Sequence, residues 1–141
     1  MAEEFTTAGP VELTGQLVEA FDRGDVDAIG SFGADDAVLQ AAALGMRFEG
    51  VKAIRAFVED WFGSFADLAF ELREVRHISN GVVLVLIDRC GRPVGTLATI
   101  QQLEAWAIEW ATGHITQLAS YLDINEARAA AKRLAQERAG G

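Results

Sequence analysis

Hydrophobic residues recur every three or four positions in three stretches of the chain, which is the spacing of one face of an α-helix. The first stretch follows Pro10, a residue suited to the first turn of a helix, and it ends at Gly24. Asp25 can cap a second, shorter helix, and a third helix is predicted over 51–62. The predicted inward residues of these helices are Val11, Thr14, Leu17, Val18, Phe21, Val26, Ile29, Phe32, Ile54, Phe57, Val58, Trp61 and Phe62.

The second half of the chain has the patterns of β-strands. Residues 66–75 alternate apolar and charged side chains, with a bulge expected near the end, and 82–87 are continuously apolar. We predict a turn at 89–93, then a long strand at 95–111 rich in β-branched, aromatic and small residues. A tight connection leads to a return strand at 114–122, so these strands form an antiparallel sheet.

Weaker patterns complete the order of elements. A turn at 33–36 precedes a first strand at 37–44, and Asp123 or Asn125 caps a terminal helix at 125–137 with a narrow apolar side. Residues 1–8 are expected to be a loose leader. The order predicts one α+β domain over 1–141, with helices on one face of a curved, mainly antiparallel sheet.

Composition removes several classes of function. The 141 residues are half hydrophobic and carry a formal charge of −9, which disfavours nucleic acids and anionic membranes as partners. Cys90 is the only cysteine, so a disulfide within the chain and a thiolate metal site are excluded. His77 and His114 adjoin turns with no second ligand at metal spacing. The acidic N-terminus lacks the features of a signal peptide, and no apolar run approaches the roughly 20 residues of a membrane span. We therefore expect a cytoplasmic protein without metal or other cofactor.

Five fragments occur in a characteristic order: FDRGD at 21–25, ADDA at 34–37, FEG at 48–50, GHI at 113–115 and YLD at 121–123. Together they resemble the NTF2-like superfamily, in the branch of the SnoaL-like polyketide cyclases and ketosteroid isomerases. The resemblance implies a cone: a strongly bent sheet wrapped around three helices, with an apolar pocket open at one end. It also implies a homodimer through the outer sheet face, as in many members.

Catalytic residues of the ketosteroid isomerases can be carried over only by position. Those enzymes use a tyrosine, an aspartate base and a protonated aspartic acid. The matching fragments put the three positions on Leu17, on or near Ala41, and near Ala105. None of these side chains transfers a proton, so the resemblance implies that isomerisation by this mechanism is excluded.

Two other relatives offer partial matches at most. The limonene epoxide hydrolases, which resemble the same scaffold, need an Asp-Arg-Asp arrangement around an attacking water. Asp88 and Arg89 match one part of it, while the second carboxylate position falls close to Ser120. The acid/base aspartate of the polyketide cyclases has no clear counterpart.

The resemblance makes one face of the last strand the pocket wall. Counting alternate residues from Gly113 places Ser120 on that face, with Ala105 of the long strand opposite it, although a bulge would invert this order. Trp106 then points outward into a dimer interface, with ordinary core packing as an equal alternative. The predicted ligand-binding residues are Leu17, Phe57, Val58, Trp61, Leu103, Ala105, Leu118, Ser120 and Leu122.

Polar residues within apolar strands are the candidates for chemistry. Gln40, Gln101, Gln102 and Glu104 are of this kind, and any of them inside the cavity could bind or move a proton. Asp88 ends an apolar run, and we interpret it as a solvated strand end paired with Arg89 or Arg92. The candidate catalytic residues are therefore Asp88, Gln40 and Gln102.

Two functions remain open at this point. One is a cofactor-independent isomerase, cyclase or hydrolase acting on a small hydrophobic molecule, which requires an inward carboxylate, histidine or tyrosine. The other is a non-catalytic ligand-binding or structural dimer. Alanines at 41–43, 105 and 107 favour the second, because they enlarge a pocket without adding chemistry.

Overall fold

The computed structural model describes residues 9–140, so the predicted leader at 1–8 lies outside the described residues. Within this range four α-helices and six strands follow the predicted order, and the predicted α+β class is confirmed. A 3-10 turn at Ala42–Leu44 joins the first two strands. The elements are α1 (Pro10–Arg23), α2 (Val26–Ser31), β1 (Gly33–Ala41), β2 (Met46–Glu49), α3 (Val51–Gly63), β3 (Phe65–Ser79), β4 (Val82–Pro93), β5 (Ile100–Ala111), β6 (His114–Tyr121) and α4 (Ile124–Gly140).

The strands form one open sheet in the order β2-β1-β6-β5-β4-β3. Every neighbouring pair is antiparallel except β1 and β6, which are parallel. The parallel pair arises because α3 and four strands separate β1 from β6 in the chain, so a hairpin does not set their direction. The sheet is therefore mainly antiparallel, as predicted.

Local capping explains where the first helices begin and end. Pro10 occupies the first turn of α1, and Gly24 ends the helix in the left-handed conformation at φ 66°. The Gly24 N–H donates to the carbonyls of Ala20 and Phe21. The Asp25 side chain then accepts a hydrogen bond from the Ala28 N–H at 3.0 Å, which caps α2.

The two faces of the sheet pack against different helices. Helices α1, α2 and α3 lie on the inner face, where the main core contains Leu17, Val85 and Ile108. Helix α4 lies on the outer face, where its narrow stripe of alanines packs on small residues of β4 and β5. The second cluster consists of Val82, Leu84, Ala105, Ala107, Ala127, Ala130, Ala131, Leu134 and Ala135.

Two hydrogen bonds connect α1 to strands of the sheet. The Trp110 indole donates to the Thr14 hydroxyl at 3.0 Å in the buried core. The Asp22 carboxylate accepts the Phe70 N–H of β3 at 2.9 Å. These two hydrogen bonds position α1 against β3 and β5.

Several boundaries differ from the sequence prediction. The first strand ends at Ala41 and not at residue 44, because 42–44 form the 3-10 turn. The predicted turn at 89–93 is wrong, because β4 continues to Pro93 and Cys90 pairs with Ala69 on one side and Gln101 on the other. The connection lies at 94–99 instead, so the long strand begins at Ile100 and not at residue 95. Residues 33–36 belong to β1 and form no separate turn. For 89–93, pairing with β3 and β5 outweighs the local preference of Gly91 and Pro93 for a turn.

The bulge expected near the end of β3 is present. The register with β4 shifts between Leu72 and Glu74, and the strand continues to Ser79. The turn at 79–81 follows, with Asn80 at φ 53° and Gly81 at φ 82°. A side chain at Gly81 would meet the Trp110 carbonyl oxygen at 2.5 Å, so this position accommodates only glycine.

Candidate ligand cavity

A cavity of about 340 Å³ lies between the inner face of the sheet and helices α1 and α3. This volume is at the lower end of the range for small-molecule sites. Most of the wall is apolar, and aromatic rings form much of it. The lining residues are Phe21, Leu39, Ala41, Ala43, Leu44, Phe57, Val58, Trp61, Phe70, Arg89, Gln102, Glu104, Trp106, Leu118, Ser120, Tyr121 and Leu122.

A cluster of three polar side chains interrupts this wall. Arg89 of β4 lies directly opposite Gln102 of β5, and Glu104 follows two residues later on the same face. The Arg89 Nε atom lies 2.5 Å from Glu104 Oε2, and Arg89 Nη2 donates to Gln102 Oε1 at 3.5 Å. The Trp106 indole N–H donates to Glu104 Oε1 at 3.1 Å. Both carboxylate oxygens are therefore held by neighbours on β4 and β5.

The Arg89–Glu104 pair is largely removed from solvent. The Arg89 side chain is 17% exposed and the Glu104 side chain 13%. The guanidinium carbon lies 5.2 Å from the centre of the Trp61 ring and 5.9 Å from that of Phe65, so two aromatic rings contact the cation. Strands and rings together hold the guanidinium at the cavity wall.

The hydrogen bonds of Arg89 are incomplete. Although Nε is close to Glu104 Oε2, its N–H bond does not point at that oxygen, and the contact is an ion pair without hydrogen-bond geometry. Among the described residues, Arg89 Nε is the one buried side-chain nitrogen or oxygen atom without a hydrogen-bond partner. The terminal nitrogens, whose one hydrogen bond among the described residues is the long contact with Gln102, have unused donor capacity at the cavity wall.

This arrangement can do two kinds of chemistry. Glu104 can accept a proton from a molecule in the cavity, and Arg89 can stabilise negative charge that develops on an oxygen nearby. Within residues 9–140, no group of three or more His, Cys, Asp or Glu side chains is placed to hold a metal ion. The same part of the chain contains no helix with the length and apolar character needed to cross a membrane.

Many residues predicted as ligand contacts lie on the cavity wall. Leu17 is an exception: it is fully buried in the core and borders a smaller apolar crevice beside the cavity. Contact with a ligand remains a prediction for all of them. Those on the cavity wall are Phe57, Val58, Trp61, Leu118, Ser120 and Leu122.

The predicted facing of β5 is wrong, and a bulge in β6 explains why. Glu109 pairs with Gln117 while Trp110 pairs with Ile115, so Thr116 is an extra residue in the hairpin. Its hydroxyl lies 3.2 Å from the Glu109 carbonyl oxygen and 2.5 Å from the Glu109 carboxylate. The extra residue moves the register by one position and exchanges the two faces of β5 relative to simple alternation.

Three site assignments change as a result. Ala105 faces outward and packs beneath α4, and Leu103 lies on the same outer face with 54% of its surface exposed. Trp106 points inward, lines the cavity and is only 4% exposed. The dimer-interface role predicted for Trp106 is therefore wrong.

Of the candidate catalytic residues, only Gln102 lies at the cavity. Gln40 is exposed, because Leu39 and Ala41 on either side of it face the cavity. Asp88 lies on the outer face of the sheet and is not a strand end. Its partner is Arg73, at 2.5 Å, and neither Arg89 nor Arg92. The hydrogen bond from Arg73 holds the pKa of Asp88 below its ordinary value.

Sequence reasoning missed Arg89 as a site residue because it placed this residue in a turn. Glu104 was one of four polar candidates with no means of choosing among them. The spacing of Gln102 and Glu104 was the available signal for a polar site, because residues two positions apart on a strand lie on the same face. Only pairing with β4 brings Arg89 opposite them.

The family can now be stated from a comparison of sequences. The family model described as SnoaL-like domain matches residues 15–118, which is most of the chain. The chain belongs to this family. A search of curated protein sequences gave no significant match.

Solved structures share the fold of this SnoaL-like protein at low sequence identity. A protein of ketosteroid isomerase-like fold from Catenulispora acidiphila, in complex with trimethylamine, has a TM-score of 0.75 at 16% identity over 86% of this chain and 92% of that one. A putative SnoaL-like polyketide cyclase from Shewanella denitrificans has a TM-score of 0.71 at 12% identity, covering 88% and 96%. An LEH-like epoxide hydrolase from M. tuberculosis has a TM-score of 0.69 at 15% identity, covering 88% and 90%. The NTF2-like fold predicted for this chain is thus confirmed.

Proposed function

We propose that this SnoaL-like protein binds a small hydrophobic molecule in the cavity and transforms it by proton transfer at Glu104, without a cofactor. The reaction is of the cyclase, isomerase or hydrolase type. The observation that carries the proposal is the Arg89–Glu104 pair, whose two members are the charged side chains among the lining residues of an otherwise mostly apolar cavity.

The Arg89–Glu104 pair keeps the electrostatic cost of proton transfer low at this position. Before reaction, the carboxylate of Glu104 neutralises the guanidinium of Arg89. When Glu104 accepts a proton from a C–H or O–H group of the ligand, the negative charge moves to a ligand oxygen, and Arg89 is still the nearest cation. No net charge is created in a cavity of low dielectric constant, so the electrostatic cost of the transfer is small. For a hydrolase, Glu104 takes the proton from an attacking water instead.

The proposed chemistry does not use the three positions of the ketosteroid isomerases. Leu17 lies in the buried core, Ala41 lines the cavity and Ala105 packs beneath α4. Glu104 and Arg89 come from neighbouring strands and form a different arrangement. The names of two structural neighbours, a putative polyketide cyclase and an epoxide hydrolase, are compatible with this class of chemistry.

A non-catalytic binding module is the alternative. The small side chains of Ala41 and Ala43 favour it, since they enlarge the cavity without contributing a reactive group. Cytoplasmic location, a single domain over 1–141 and a homodimer also remain proposals. Helix α4 covers part of the outer sheet face, so a dimer through that face would use the uncovered part around Leu103.

The test is isotope exchange with an unbiased panel of small cyclic ketones and epoxides. Ketones are incubated with the protein in D₂O, and epoxides in ¹⁸O-water, and mass spectrometry measures the incorporated isotope. We expect incorporation into at least one panel member with the wild type and loss of it with Glu104→Gln, which keeps the shape of the side chain. Asp88→Asn is the matched control, because it neutralises a carboxylate on the outer face of the neighbouring strand.

The outcomes separate the two candidates. Quenching of Trp61 and Trp106 fluorescence measures binding independently of reaction, because both indoles line the cavity. Binding without isotope incorporation by any panel member favours the non-catalytic module. Equal incorporation by the wild type and Glu104→Gln refutes the role of Glu104.

A further inference from the structure

The side chain of Arg89 carries five N–H donors, more than any other residue on the cavity wall. Glu104 already receives the Trp106 N–H on one oxygen and contacts Arg89 with the other. The Arg89 Nε atom is buried against Glu104, and the terminal nitrogens make one hydrogen bond among the described residues, a long one of 3.5 Å from Nη2 to Gln102. A ligand in this cavity therefore meets terminal N–H groups that have donor capacity left.

The charges at the same place select against ionic ligands. Arg89 and Glu104 neutralise each other at 2.5 Å. An ion in this cavity would lose its hydration, and its attraction to one member of the pair would be offset by repulsion from the other. A neutral oxygen acceptor uses the free donors without adding charge.

The walls select a flat shape. Phe21, Phe57, Trp61, Phe70 and Trp106 all contribute rings to the cavity. At about 30 Å³ per water, 340 Å³ corresponds to about 11 waters, which is room for one or two fused rings. Trp61 also contacts the guanidinium, whose carbon lies 5.2 Å from the centre of its ring.

Given the ligand-binding function proposed above, which it presupposes, we infer that the cavity selects neutral, planar molecules bearing a carbonyl-type oxygen, and that Arg89 donates the hydrogen bond that recognises this oxygen. Arg89 is the specificity-determining residue. Ligands of this class are aryl ketones, quinones and enol tautomers of diketones.

The test uses four probes of similar size: 2-acetonaphthone, 2-ethylnaphthalene, 2-naphthoate and 2-naphthylmethylammonium. Tryptophan fluorescence gives the dissociation constant of each. We expect the ketone to bind roughly tenfold or more tightly than the hydrocarbon, because a hydrogen bond from a charged donor discriminates by about that factor. Both ions should bind more weakly than the ketone.

Two arginine variants test whether Arg89 causes the preference for the ketone over the hydrocarbon. Arg89→Lys keeps the positive charge but removes the planar fork of donors, and it should abolish the advantage of the ketone over the hydrocarbon. Arg73→Lys makes the same exchange in the ion pair on the outer face and should leave the advantage unchanged. As a measurement that needs no variant, the carbonyl stretching frequency of bound 2-acetonaphthone should fall below its value in a non-hydrogen-bonding solvent.

The outcomes distinguish this inference from the proposed function. If the hydrocarbon binds as tightly as the ketone, or an ion binds more tightly, the ligand class is wrong while the binding cavity stands. An advantage that survives in Arg89→Lys, or a carbonyl frequency that does not fall, overturns the role of Arg89. Failure of all four probes to bind would count against the proposed function itself.

Discussion

Ser120 of β6 lies directly opposite Trp106 of β5, and not opposite Ala105, because Thr116 is an extra residue in the hairpin between them. This single position decides which face of β5 borders the cavity. It places Glu104 and Trp106 inside and leaves Ala105 and Ala107 small enough for the close approach of α4 outside. The bulge thus sets the composition of the site and the packing of the terminal helix together.

The bulge should depend on the Thr116 hydroxyl. Thr116→Val removes its contacts with Glu109, whose side chain is buried, and leaves carboxylate oxygens without that donor. We expect a loss of about 1–3 kcal/mol in the free energy of unfolding, measured by urea denaturation. Thr96→Val removes a hydroxyl contact that is exposed and should change stability by less than about 0.5 kcal/mol. Equal effects of the two substitutions would contradict this account.

The ion pair in the cavity should show strong coupling between its members. Glu104→Leu alone leaves the Arg89 charge buried without its counter-ion, so we expect destabilisation of up to about 3–5 kcal/mol. The double variant Arg89→Met, Glu104→Leu should be more stable than the sum of the single effects predicts, with a coupling energy of about 1–3 kcal/mol by urea denaturation. The exposed pair Arg47–Glu49 is the control and should couple by less than about 1 kcal/mol. Additive effects of Arg89 and Glu104 would show that the pair does not form.

Asp88 should make stability depend on pH under acidic conditions. The hydrogen bond from Arg73 lowers the pKa of Asp88 below its ordinary value of 3.8 in the folded state, so the unfolded state binds the proton more readily. The stabilisation is present above pH 3.8 and is lost as the pH falls through the lower pKa of the folded state. Denaturation curves at a series of pH values should therefore show the wild type and Asp88→Asn converging at low pH. A difference that stays constant across the series would exclude this linkage.

Two tryptophans should respond differently to truncation. Trp110 is 3% exposed and donates a hydrogen bond to Thr14, so Trp110→Ala should cost about 3–5 kcal/mol of unfolding free energy. Trp61 is half-buried at the cavity wall, so Trp61→Ala should cost less and should also weaken the binding of a hydrophobic dye. Dye titration and urea denaturation of both variants give the comparison. A larger stability loss for Trp61 than for Trp110 would mean that Trp61 is core and not cavity wall.

The oligomeric state can be tested at the uncovered part of the outer face. Leu103 is 54% exposed there, although it is a large apolar residue. If two copies pair through this surface, Leu103→Glu should convert a dimer into a monomer in light scattering at micromolar concentration. Leu97→Glu changes an apolar residue exposed in the 94–99 connection and should leave the dimer intact. A wild-type monomer would exclude the proposed homodimer.

The sequence by itself determined the helices, the order of elements and the α+β class. Pro10, Gly24 and Asp25 act on backbone groups within a few residues, so their effects are visible without the rest of the chain. The fragments around Gly24 and Gly113 also carried the family resemblance. Trp61 could be placed on the cavity wall because α3 follows a regular helical period.

Only the tertiary structure decided the faces of β5 and the polar residues of the cavity. The register of a strand depends on its neighbours, and one bulged residue, Thr116, reverses the facing that alternation predicts for the side chains of β5. The sequence alone predicts a turn at Arg89. In the structure this residue belongs to β4, which pairs with β3 and β5, and it lies opposite Gln102. These contacts join residues that are distant in the chain, and their energies outweigh the local preferences from which a single sequence is interpreted.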